Sequence, residues 1–155
     1  MLADVFTSRS LLVLVLAASA VVPAHAQDAG PTVILVVHGL RNDRGRVGGG
    51  IYADPHVWTH DGGQVAVCHA PIHDGVARCV IHAPAPGRYA FAFLHDENEN
   101  GHMDTDALGL PQEGYGFGND ARGTLGAPSF ESASYVLTAG PPVEYSLTAR
   151  YGLGI

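Results

Sequence analysis

Asp96, Asn98, Asn100, Gly101 and Asp104 stand in the order D-x-N-x-N-G-x-x-D. Side-chain oxygens at alternate positions, closed by a glycine, can wrap a chain around a hard cation. Calcium takes roughly six to eight such oxygens. In a loop of the EF-hand kind, Asp96, Asn98 and Asn100 fill the first, third and fifth positions. Gly101 permits the sharp turn. His102 offers its backbone carbonyl, and Asp104 acts directly or through water. The twelfth position, which should carry a bidentate acid, is Ala107. Asp106, one residue early, and Glu113 are the carboxylates available to replace it. The candidate calcium set is therefore Asp96, Asn98, Asn100, His102, Asp104 and Asp106. The competing reading is a solvated acidic turn whose Asx side chains cap their own backbone.

Downstream, Glu113 to Asp120 reads E-G-Y-G-F-G-N-D, with Tyr115 and Phe117 each set between glycines. These aromatics either stack on a ligand or lie down as a lid. The nine histidines include His69, His73 and His82 near one turn and His56 and His60 around Trp58. None forms a recognised ligand spacing such as H-E-x-x-H. Catalytic signatures are absent: there is no G-x-S-x-G elbow and no phosphate-cradling glycine loop. Paired carboxylates such as Asp104 and Asp106 are capable of acid–base work, but they equally suit an ion or a turn.

These residues need a scaffold, and the pattern is one of strands. Twenty glycines and ten prolines punctuate the 155 residues. Apolar, β-branched runs of strand length lie between them. Seven strands are expected: 32–38, 46–53, 64–70, 76–83, 88–95, 133–138 and 143–151. Three consecutive glycines, Gly48 to Gly50, suggest a bulge or a close backbone approach. Tyr89, Phe91 and Phe93 share one face, read as core, and Trp58 is placed at one end of that core. The segment from Asp96 to about Ser132 is a long irregular excursion, longer than compact domains usually allow without a function. The whole is an all-β, seven-stranded antiparallel β-sandwich, immunoglobulin-like or transthyretin-like, with a small barrel as runner-up.

Residues 1–26 carry Arg9, a twelve-residue apolar run from Leu11 to Val22 broken only by Ser19, and Ala24-His25-Ala26. This is the pattern of a secretory signal peptide cut before Gln27. It leaves 27–155 as a single β-sandwich domain, periplasmic or secreted, with no later membrane span. The chain has net charge -7 and no lysine. That excludes a basic nucleic-acid-binding face. Cys68 and Cys79 are the only cysteines. In an exported protein the pair suggests a disulfide, expected across a hairpin with a four-residue turn, Ile72 to Gly75.

The stretches P-G-R-Y-A-F-A-F-L-H-D-E-N-E-N-G-H-M-D-T, L-G-L-P-Q-E-G-Y-G-F-G-N-D-A-R-G and G-A-P-S-F-E-S-A-S-Y resemble the bacterial exported family catalogued as domain of unknown function 2141. The resemblance covers essentially all of 27–155. It implies an exported single-domain β-sandwich and no activity, since the family has none assigned. Locally, the acidic loop is also similar to calcium loops of B-type repeats in bacterial surface adhesins. The expectation is thus an exported, non-enzymatic binding or structural module, its loop held by calcium or by its own hydrogen bonds, with a cell-envelope partner. The alternative is a carbohydrate-active or hydrolytic protein using Asp96, Asp104 or Asp106 beside a groove lined by Tyr115 and Phe117. A histidine-based metal chaperone comes third.

Overall fold

The computed structural model describes residues 30–124 and 126–153, so the leader expected at 1–26 lies outside the described residues. The seven expected strands all form, the first with its expected bounds and the others with one or both ends trimmed or extended by one to three residues. They are β1 (Thr32–His38), β2 (Arg46–Tyr52), β3 (Ala66–Ala70), β5 (Val76–His82), β6 (Gly87–Asp96), β8 (Ser134–Leu137) and β9 (Val143–Thr148). Two more appear: β4 (Ile72–His73), inside the expected hairpin turn, and β7 (Gly114–Phe117), inside the long excursion. Two sheets result, one in the order β4-β5-β1-β9 and one in the order β3-β2-β6-β7. β8 joins the second sheet by pairing with β6. β7 pairs with Ala92–His95 and β8 with Gly87–Ala90, so the two short strands share the length of one edge of β6.

The ladders are not all antiparallel. β9 runs parallel to β1, from Val33↔Val143 to His38↔Thr148. The reason is topological: β8 lies in the other sheet, so β9 enters this one at a free edge rather than by hairpin from a neighbour.

The core fills the space between the sheets. Val33, Leu35 and Val37 of β1 and Cys79 and Ile81 of β5 face Val47 and Ile51 of β2 and Tyr89, Phe91 and Phe93 of β6. The period-two alternation of β6 thus sets its three aromatics inward, as the sequence predicts. A second cluster forms on the opposite, outer face of the same sheet, where Tyr52, Ala90, Phe130 and Ala133 pack with Trp58 and Phe117. Trp58 therefore does not close one end of the core. Its indole N–H needs an acceptor, and it donates to the Pro128 carbonyl at 2.8 Å in the loop covering that face.

The disulfide joins Cys68 to Cys79, but not across a hairpin. Cys68 lies on β3 of one sheet and Cys79 on β5 of the other, so the bridge staples sheet to sheet. The chain changes sheets at Pro71, between the buried Ala70 and Ile72. The hairpin that follows is tighter than expected. It has two loop residues, Asp74 (φ 52) and Gly75 (φ 73), closed by the His73↔Val76 pair. Positive φ at both centres is the geometry that Asp-Gly favours. The Asp43 carboxylate accepts both turn N–H groups, from Asp74 at 2.9 Å and Gly75 at 2.8 Å. These bonds, the Gly75 one foremost, hold its pKa below the ordinary value.

The glycine run of β2 contains no bulge, because its registers with β3 and β6 are continuous. Side chains, rather than another backbone, crowd it. A Cβ on Gly49 would stand 3.0 Å from the Cys68 sulfur and 3.2 Å from Leu35, and one on Gly50 would stand 2.8 Å from Gln64. Gly49 makes room for the disulfide.

Candidate functional site: the acidic loop and the outer-sheet groove

The end of β6 supplies the anchor of the loop. Asp96 is buried at 3% exposure, and its two carboxylate oxygens accept the N–H groups of Asn100 (3.0 Å) and Gly101 (2.9 Å). Gly101 takes φ 81 to make this turn. Asn98 accepts from Asn100 N–H at 3.1 Å, and Asn100 accepts from His102 N–H at 2.8 Å. The amide groups of Asn98 and Asn100 then donate to the two oxygens of Asp104, at 2.6 Å and 3.0 Å. Hydrogen bonds therefore link Asp96, Asn98, Asn100 and Asp104 within one turn.

The His102 ring, which the calcium reading does not use, is exposed and lies 4.0 Å from Asp61. Asp106 takes a different place. Asp106 closes a separate small turn, accepting Leu108 N–H at 2.8 Å and Leu110 N–H at 2.9 Å. That turn is stapled by the Thr105↔Pro111 bridge and needs positive φ at Gly109. The signal for it was the D-A-L-G spacing.

Two glutamates do more than the sequence pattern assigned to them. Glu113 is buried at 3% exposure and accepts Glu97 N–H (2.8 Å) with one oxygen and Asp104 N–H (3.1 Å) with the other, clamping the loop at both ends. The Glu97 side chain turns away from the loop. It receives Arg41 Nε and Arg44 Nη2, both at 2.6 Å, and the Asn42 amide at 3.0 Å. Burial would raise its pKa, but the hydrogen bonds from Asn42, Arg44 and Arg41 overcome that and hold it at about 2. The clue was the clustering of Arg41, Arg44 and Arg46 in a chain with only eight basic residues.

Beneath this network His95 is fully buried. One ring nitrogen meets the Arg44 carbonyl at 2.9 Å and the other the Tyr151 hydroxyl at 2.7 Å. A carbonyl only accepts, so Nε2 carries a proton. Burial pushes the Tyr151 pKa up.

β7 explains the aromatic–glycine alternation. Gly114 and Gly116 face inward, where a Cβ would collide with the rings of Tyr151 and Phe93 respectively. Tyr115 and Phe117 consequently point to the outer face. They lie against each other with centroids 5.9 Å apart, and Phe117 meets Trp58 edge-on at 5.8 Å. The Tyr115 hydroxyl donates to the Gly152 carbonyl at 3.1 Å, and its backbone pairs with Arg150. Both rings line a groove of about 660 Å³ together with Ala92, Met103, Leu110 and Arg122. A smaller one of about 250 Å³ continues along the sheet over Gly48 and Gly50, with Met103 and Ala92 lining both. Asp96 touches only the smaller groove, and neither Asp104 nor Asp106 lines either.

Among the described residues, no helix is long and apolar enough to cross a membrane. Comparison with curated proteins and with solved structures finds no match. Residues 35–144 match the family model described as an uncharacterized protein conserved in bacteria, domain of unknown function 2141, and the chain belongs to that family.

Proposed function

We propose that this protein is an exported, non-enzymatic binding module of the cell envelope, periplasmic or secreted, whose ligand lies in the outer-sheet groove beside β7. The two-sheet frame is read as immunoglobulin-like or transthyretin-like. One observation carries the reading: Tyr115 and Phe117 are turned outward by inward glycines and both line a concavity of about 660 Å³, within the size range of small-molecule sites. Export is supported by the leader pattern of residues 1–26 and by a disulfide between the only two cysteines, a bond suited to oxidising compartments. Intact mass of the envelope-fraction protein should match a chain beginning at Gln27.

The sole tryptophan, Trp58, packs against Phe117, so it reports on the groove. The neutral fluorophore N-phenyl-1-naphthylamine should bind and quench Trp58 by energy transfer. Tyr115→Ala should weaken that binding by about three- to tenfold, the worth of one aromatic contact. A probe that fails to bind, or binds Tyr115→Ala as well as the unaltered protein, overturns the reading.

The acidic loop is proposed as a calcium-responsive buttress of this groove, since Met103 of the same loop lines it. Asp96, Asn98, Asn100 and Asp104 carry oxygens suited to a hard cation, and His102 adds its carbonyl. For a cation to enter, the Asn98 and Asn100 amides must turn their oxygens toward Asp104 instead of their N–H groups. The competing arrangement is a turn whose backbone N–H groups the side chains of Asp96, Asn98 and Asn100 cap by themselves.

A further inference from the structure

Of the three consecutive glycines in β2, two have a reason in the fold. Gly49 leaves room for the disulfide, and the Gln64 side chain lies over Gly50, 2.8 Å from where a Cβ would stand. Gly48 has no such reason. Its φ is outside the left-handed region and its registers with β3 and β6 are continuous. A Cβ there would make only ordinary contact, 3.5 Å from the His69 ring, and among the described residues no other side chain or backbone comes within 4 Å of it. Glycine inside a strand weakens it, and it marks a place where a ligand or another backbone approaches closely. No backbone does so here.

The registers set Gly48 in a row that crosses the sheet, Tyr115↔Leu94↔Gly48↔His69, beside a second row, Phe117↔Ala92↔Gly50↔Val67. Paired residues share a face, so both rows look outward with Tyr115 and Phe117. The larger groove covers the β7 end, and the smaller one continues over Gly48, with Ala92 and Met103 lining both. Strands stand about 4.8 Å apart, so the floor from β7 across β6 and β2 to β3 is about 14 Å long. The charged groups along it are engaged. Arg150 donates to the Ala121 and Asp120 carbonyls, Arg122 has an interaction within the protein, and Asp96 accepts the Asn100 and Gly101 N–H groups. Asp61 stands exposed to water. We infer that the groove takes an uncharged, unbranched hydrocarbon chain lying across the strands, from Tyr115 and Phe117 over Ala92 and Gly48 to the β3 end. The inference rests on the groove reading proposed above. An extended chain advances about 1.3 Å per carbon, so the floor holds roughly ten to twelve carbons. A compact ring system fills the β7 end and leaves Gly48 uncovered.

The test is a chain-length series, 1-hexanol, 1-octanol and 1-decanol, read by calorimetry and by displacement of the naphthylamine probe. Hexanol spans β7 and β6, whereas decanol reaches over β2 to β3. Each added carbon should tighten binding by about two- to fourfold. In Gly48→Val, whose side chain stands on the floor, decanol should bind within about threefold of hexanol. Gly48→Ala should reduce the decanol-to-hexanol ratio partway and be at least as stable to urea as the unaltered protein. A series that levels off at hexanol in the unaltered protein overturns the inference and leaves the groove reading standing. A ratio that survives Gly48→Val overturns the path over β2. A Gly48→Ala protein of lower stability shows that the fold itself needs this glycine, and overturns its role. Failure of all three alcohols while the naphthylamine probe binds overturns the chain assignment alone; failure of the probe as well overturns the groove itself.

Discussion

On the inner face of β6, Tyr89, Phe91, Phe93 and His95 lie under the opposite sheet, and none exceeds 5% exposure. On its outer face, Ala90, Ala92 and Leu94 alternate with them. The outer side chains are smaller, and the space above them is only partly covered. Trp58 and Phe130 cover one end, at Ala90. The other end stays open between Met103 and β7. One strand thus presents a sealed surface and an open one, separated by the thickness of the sheet. A binding surface backed by a close-packed core gains rigidity without having to be close-packed itself.

The sharpest way to break this contrast is to truncate one aromatic on each side. Phe91→Ala empties a fully buried site and should cost about 3–5 kcal/mol in urea unfolding. Phe117→Ala, half-buried on the outer face, should cost roughly 1 kcal/mol while weakening the naphthylamine probe. Equal losses would mean that the outer cluster is a second core and not a binding surface.

The disulfide ranks next because it ties the sealed side together. Replacing both cysteines by serine should cost about 2–3 kcal/mol. Gly49→Ala should cost about 1–3 kcal/mol by overpacking against Cys68 and Leu35. In the serine background part of that penalty should disappear, because the sulfur 3.0 Å from the new Cβ is gone. A double-mutant cycle reads this coupling directly. Strictly additive losses would show that Gly49 does not serve the bridge.

What could be read from the chain divides along the same two faces. All seven expected strands exist because apolar alternation reports burial between sheets, and that is where Val33, Leu35, Val37, Phe91 and Phe93 lie. Which strands become neighbours was not legible. Pro71 moves the chain to the other sheet, and only that crossing makes Cys68–Cys79 an inter-sheet bridge. The parallel β1–β9 ladder depends likewise on an edge left free by distant segments. β7 escaped notice because glycine is poor in strands. It forms because β6 offers an unpaired edge and because Phe93 and Tyr151 leave no room for a Cβ at Gly116 and Gly114. In the acidic loop, local spacing was informative for Asp96, Asn98, Asn100 and Asp104. It did not foresee that Glu97 leaves the loop for Arg41 and Arg44, since that choice depends on the β1–β2 turn lying alongside.

Glu97 also gives the third prediction, which concerns the junction of the two faces. Its folded pKa is held at about 2 against an ordinary 4.5. A depressed carboxylate contributes its full stability above pH 4.5 and loses it as the pH falls toward 2. Glu97→Gln should therefore be less stable by about 1–3 kcal/mol at pH 6, and the difference from the unaltered protein should shrink steadily across that acid window. A difference independent of pH would show that packing, and not the charge, is what Arg41 and Arg44 read.

The smallest expected effect belongs to the acidic loop, and it decides what kind of wall the open face has. Starting from chelator-treated protein, calcium at about ten times its dissociation constant should add about 1.4 kcal/mol of stability, a rise of about 4–7 °C in Tm for a domain of this size. Asp96→Ala is a poor probe of this, because it also removes the acceptors for Asn100 and Gly101 N–H. Asp104→Asn is the better one. It keeps the shape and one acceptor oxygen for the Asn98 and Asn100 amides, yet removes a charge that a cation needs. The calcium-dependent rise should vanish in Asp104→Asn while the calcium-free Tm moves little. If the unaltered protein shows no rise at millimolar calcium, the loop is held by its own hydrogen bonds. The wall of the groove is then rigid without an ion, and probe binding should be indifferent to chelator. If calcium does raise Tm and also tightens the naphthylamine probe, the loop couples cation level to ligand affinity through Met103.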